Sequence, residues 1–137
     1  MVTTKVRLDR IASSTRNARV GREVLVGSEI VCRSGYVLAV RILTDKSVYN
    51  EVEDLAGRFI RLRAGDVLAG TLGHRHALRG YAGEVPAQLA PGDSIEVLNM
   101  GGVLGRCTAG NPDLGHPFKA EVIGAVQTFP KVGDRVG

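Results

Sequence analysis

The chain has 137 residues, a formal charge of +4 and a sequence pI near 9.4, with 44% hydrophobic and 23% charged residues. That is one domain's length of chain with enough apolar content for a core and no run near the ~18 residues of a membrane helix, which argues against a disordered or membrane-spanning chain. The basic excess is local: residues 1–22 carry six Lys or Arg against one Asp, and residues 23–137 carry twelve against thirteen Asp or Glu.

The segment 1–22 is poor in apolar residues and reads as a basic N-terminal arm ahead of a domain spanning 23–137. Residues 8–19 predict a turn or two of helix with Asp9 as its cap, weakened by Ser13, Ser14, Thr15 and Asn17, which compete for local hydrogen bonds. Residues 36–43 are a continuous apolar run broken only by Arg41, the mark of a strand buried on both faces. Residues 47–55 place Val48, Val52 and Leu55 at helical spacing and predict one short helical turn. Residues 58–63 alternate, with Ile60 and Leu62 on one side and Arg61 and Arg63 on the other. Further strands are predicted at 67–72, 94–98 and 119–127, the last with Val122, Gly124 and Val126 on one face. Eighteen glycines lie dispersed along the chain. The fold class is therefore all-β: a small closed or partly open β-barrel of short strands and Gly-rich turns, with at most one or two short helices.

One device recurs. Gly65-Asp66, Gly92-Asp93 and Gly133-Asp134 each precede a Val or Ile by one or two residues. Gly supplies the positive φ of a tight turn, and Asp bonds back to nearby backbone N–H groups before the next strand starts. A Gly-Asp turn feeding a strand resembles the GD box of cradle-loop β-barrels, the group of double-psi, swapped-hairpin and translation-factor-type barrels. The likeness runs from Gly57-Arg58-Phe59-Ile60-Arg61-Leu62 to Gly105. It implies a fold neighbourhood and assigns no functional residue. Residues 132–137 launch what should be a strand and stop, as a short edge or as one piece of a longer polypeptide would.

Two constellations carry chemistry. His74-Arg75-His76 places two imidazoles on one face of an extended segment. Together with Cys107 and His116 they are the metal or thiol candidates, though their spacing matches no compact zinc knuckle. The stretch around Asn99, Gly101, Gly102 and Gly105 allows close backbone approach and an anion-binding concavity, to which Arg106 adds a charge-assisted contact. The same residues equally make a plain hairpin turn. Cys107 beside Arg106 is a candidate nucleophile, a neighbouring cation lowering a thiol's pKa, with His116 or His74 as its base. No nucleophile elbow, zincin motif or phosphate loop occurs.

These features predict a non-catalytic β-barrel module that recognises a partner domain or an anionic small molecule. Its ligand-facing residues are His74, Arg75, His76, Arg79, Asn99, Gly101, Gly102 and Arg106, and it is read as the accessory domain of something larger. The second reading is an enzyme or enzyme subunit built on His74, His76, Cys107 and His116. The third is nucleic-acid binding through the basic arm, which the six scattered aromatics do not favour, since single-stranded sites rest on stacking platforms. No cofactor is indicated. Self-association through sheet edges is expected, a membrane partner is not, and two cysteines are too few for a disulfide framework, which points to the cytoplasm.

Overall fold

A computed structural model describes residues 3–75, 81–110 and 114–127. The strands are β1 (Thr3–Arg7), β2 (Arg10–Ile11), β3 (Glu23–Gly27), β4 (Val37–Ile42), β5 (Glu51–Glu53), β6 (Phe59–Arg61), β7 (Val67–Leu72), β8 (Ala82–Glu84), β9 (Ser94–Val97), β10 (Val103–Ala109) and β11 (Lys119–Val126). A 3-10 helix, Ser13–Ala18, lies between β2 and β3. The all-β class predicted from the sequence is found, and no helix among the described residues is long and apolar enough to cross a membrane.

The centre of the fold is a ring of backbone hydrogen bonds through five strands. β4 pairs antiparallel with β11 on one side and β7 on the other. β7 runs parallel to β10, β10 pairs antiparallel with β9, and β9 pairs antiparallel with β11 to close the circuit. β3 extends the sheet from β11, β1 pairs with β3, and β8 pairs with β10. β5 and β6 form a separate hairpin in which Glu51 faces Arg61 across the two strands.

Two apolar clusters follow from this arrangement. Leu38, Val40 and Ile42 of β4 join Leu68, Leu72, Ile95, Val97, Leu104, Ala120 and Val122 in one core. The other face of β4, Val37 and Ala39, joins Ala69 of β7 beneath Leu8, Val20, Val24 and Val26. The predicted strand buried on both faces is thus β4, buried at every position except Arg41. Each large aliphatic side chain so covered contributes about 1.5–3 kcal/mol.

Both Gly-Asp turns within the described residues have the expected form. Gly65 and Gly92 adopt φ of 96° and 94°. Asp66 Oδ2 accepts the Arg63 N–H at 2.9 Å and Asp93 Oδ2 the Ala90 N–H at 2.8 Å. Their surroundings match as well: Gly65 N–H donates to Ile42 O while Ile42 N–H donates to Asp66 O, and Gly92 N–H donates to Val122 O while Val122 N–H donates to Asp93 O. β4 and β11, which receive the two turns, are themselves paired. The third turn, at Gly133-Asp134, lies outside the described residues.

Two expectations are corrected. Residues 47–55 form no helix: Val52 is buried in β5, but Val48 and Leu55 are 45% and 38% exposed, so the three do not share a face. Pairing with β6 satisfies the β5 backbone where a helical turn would leave its terminal groups open. Residues 1–22 do not stand apart as an arm either. From Thr3 onward β1 and β2 are hydrogen-bonded into the main sheet, and Leu8, Ala12 and Thr15 are buried. Most basic side chains of this segment are exposed, while Leu8 and Val20 cover the second core and Ala12 joins the first; Lys5, for example, pairs with Glu23 at 3.2 Å on the surface.

Candidate functional site

A tightly held side chain at the surface is Lys46, which follows β4 in the sequence. Its ammonium donates to the Tyr81 hydroxyl at 2.8 Å and to the carbonyls of Leu114 and His116, each at 2.6 Å. These are as many acceptors as an ammonium has protons. The Tyr81 and Phe118 ring centroids lie 5.3 and 5.9 Å from the same nitrogen, within cation–π range. Tyr81, 1% exposed, shares its own proton between the Leu114 and Gly115 carbonyls, both at 2.9 Å. Tyr49 meets it edge-on, with centroids 5.7 Å apart at 70°. The Tyr49 backbone sits at φ 52°, a left-handed conformation uncommon for an aromatic residue and of the kind that collects at binding sites. Burial pushes the Lys46 ammonium below its ordinary 10.5 and, with lesser help from Cys107 and Tyr49, pushes the Tyr81 phenol above 10.0.

This knot ties residues 114–116 to the sheet and shapes a cleft of about 680 Å³. Residues 44–48 line one side; Leu114 to Pro117 and Lys119 line the other. Val48, Leu114 and Pro117 give it apolar wall, and Lys46 and Lys119 give it positive charge. Asp45, the carboxylate in the lining, accepts the Ala64 N–H at 2.9 Å. The Lys119 N–H is held by Thr44 Oγ1 at 3.1 Å, which joins the two walls at one end.

Among the described residues singled out by the sequence, His116 alone lines this cleft. His74 is exposed, and its Nδ1 accepts the Val85 N–H at 3.2 Å. Arg75 bridges Gly83, which in turn pairs with Cys107, so Arg75 and Cys107 flank β8 from opposite sides. Arg106 is exposed and faces Glu84 in register. Asn99, Gly101 and Gly102 make the hairpin turn and pack beneath the 3-10 helix. Asn99 Oδ1 accepts the Val103 N–H at 3.0 Å, Gly101 O accepts the Ser14 N–H at 3.0 Å, and Gly102 O accepts the Thr71 N–H at 3.1 Å. Gly102 has φ 81°, and a Cβ there would lie 2.2 Å from the Ala12 Cβ, so close packing explains this glycine. His76 and Arg79 lie outside the described residues.

The Cys107 thiol does not have the lowered pKa expected from Arg106. Burial raises it above 9.0, the Glu96 carboxylate raises it further, and its Sγ donates to the Ala109 carbonyl at 3.6 Å. Glu96 is held close because its Oε1 accepts the Cys107 N–H at 2.9 Å. Among the described residues no three His, Cys, Asp or Glu side chains group as a metal site. The chain matches no protein-family model, no curated protein and no solved structure.

Proposed function

We propose that this protein is a non-catalytic binding module that holds a small anionic molecule in the Lys46 cleft. The cleft carries the reading: its volume of about 680 Å³ falls within the roughly 300–1,000 Å³ of small-molecule sites. Its charge comes from Lys46 and Lys119, and its apolar wall suits a ligand with a short hydrophobic body and an acidic end. The Lys46 knot pre-organises the loop on the far side, so little ordering remains to oppose binding. The site thus shifts from the predicted Gly-rich turn at 99–102, whose carbonyls serve the protein itself, to residues 44–48 and 114–119.

The exposed Leu43 and Val48, 48% and 45% accessible, support a second use of the same rim as the docking point of a partner domain. The likeness to GD-box barrels belongs to this proposal and is supported by the matched pair of Gly-Asp turns. So does a cytoplasmic setting, supported by two free cysteines.

Titration of the ¹⁵N-labelled protein with short-chain carboxylates and phosphate esters tests the assignment. Saturable shifts are expected at residues 44–48 and 114–119, weakened in Lys119→Gln. Shifts confined to other loops, or indifferent to Lys119→Gln, overturn the site. Hydrolase or transferase turnover that disappears in Cys107→Ser overturns the non-catalytic reading.

A further inference from the structure

A second recess, of about 200 Å³, lies where β2 and Arg22 meet the tip of the β5–β6 hairpin. Arg10, Arg22 and Arg58 line it together with Asp9 and Asp54. Both carboxylates are committed within the protein. Asp54 Oδ1 accepts the Ala56 and Arg58 N–H groups, each at 2.9 Å, and its Oδ2 takes Arg58 Nε and Nη2, each at 3.1 Å. Asp9 Oδ2 accepts the Val67 N–H at 2.8 Å. Arg58 is thereby neutralised by Asp54, which leaves Arg10 and Arg22 against the single charge of Asp9, a net positive recess.

Neither Arg10 nor Arg22 has an ion-pair partner among the described residues. Arg10 Nη1 donates to the Asp9 carbonyl at 3.0 Å, but its Nε is shielded from solvent and has no acceptor among the described residues. A shielded guanidinium donor without an acceptor is unfavourable, and so are two guanidiniums facing one recess. A single anion with several acceptor oxygens, held between the outer nitrogens of the two guanidiniums, relieves the second.

We propose that Arg10 and Arg22 form a binding site for a compact tetrahedral oxyanion, the phosphoryl group. Two guanidinium forks present paired donors that match phosphate oxygens, which a carboxylate's two oxygens satisfy less fully. The size of the recess, below the roughly 300 Å³ where small-molecule pockets begin, admits the phosphoryl group and leaves any ester substituent in solvent. Ile11, Leu55 and Ile60 in the lining lower the local dielectric and strengthen the pairing. This site is separate from the Lys46 cleft, and neither assignment depends on the other.

Inorganic phosphate and O-phosphoserine are titrated separately into the ¹⁵N-labelled protein at low ionic strength. Saturable shifts at Arg10, Ile11, Arg22 and residues 54–58 are expected, with acetate far weaker. A response to inorganic phosphate alone identifies the free anion as the occupant, and a response to both identifies a phosphate ester; either supports the site. Arg22→Gln, an exposed substitution that leaves the cores intact, is expected to weaken binding roughly tenfold or more, and Arg10→Gln likewise. Lys119→Gln leaves these shifts unchanged, which separates this site from the other cleft. Absence of saturable shifts, equal binding of acetate, or full affinity in Arg22→Gln overturns the proposal.

Discussion

At the scale of single residues, the chemistry of this protein lies in side chains whose importance depends on where the ring carries them. Lys46 is one of four lysines in a chain whose other fourteen basic residues are arginine, and that rarity is the only trace it leaves in the sequence. Tyr81 and Phe118 are far from it along the chain, so the knot they form with it is invisible to local spacing. Cys107 shows the converse. Its neighbour Arg106 suggests a reactive thiolate, but alternation in β10 turns Arg106 outward, while burial and the carboxylate of Glu96, across the β9–β10 pair, keep the thiol protonated. Its folded pKa stands above the ordinary 9.0, so the unfolded chain loses that proton first. The stabilisation is full below pH 9 and declines as pH rises towards the folded-state value. Paired urea titrations of the parent and Cys107→Ser are expected to show a difference in stability that is constant below pH 9 and moves in favour of the serine variant above it. A pH-independent difference would contradict this.

At the scale of elements, local pattern was a good guide wherever the backbone itself carries the signal. The alternation at residues 58–63, the two-faced apolar run of β4 and the two Gly-Asp turns within the described residues all have local causes, and these are found. Residues 47–55 misled because spacing that suits a helix also arises by chance over three positions, and the β6 partner that decides the matter is not local. The Gly-Asp turns are a direct test of backbone conformation. No atom lies within 4 Å of a Cβ built on Gly65 or Gly92, so replacing either by alanine strains only the left-handed φ. Each substitution is expected to cost about 1–2 kcal/mol in urea unfolding, and the two costs should be similar because the turns have matching bonds. A neutral Gly92→Ala would mean that the turn relaxes to another form.

At the scale of the whole molecule, charge counting located the basic excess in residues 1–22 but misread its purpose. A segment that covers a core from outside needs apolar residues only on its inner side, so Leu8, Ala12 and Val20 are too few to register against six basic neighbours. Removing residues 1–22 is therefore expected to destabilise the protein by well over about 3 kcal/mol, since Leu8 and Val20 alone contribute roughly 1.5–3 kcal/mol each. It also uncovers Val37, Ala39 and Ala69. Size-exclusion chromatography and urea unfolding of the truncated chain check this: a monomer of unchanged stability would restore the view of an independent arm. The closed ring has a further consequence in time. β11 completes it by bridging β4 and β9, so a chain emerging from the ribosome carries its cover strands first and its closing strand last. Until residues 119–126 emerge, β4 lacks its β11 partner and the first core lacks Ala120 and Val122. Folding then waits on mostly non-local pairings, slow for a chain of this size and most exposed to aggregation before β11 is in place.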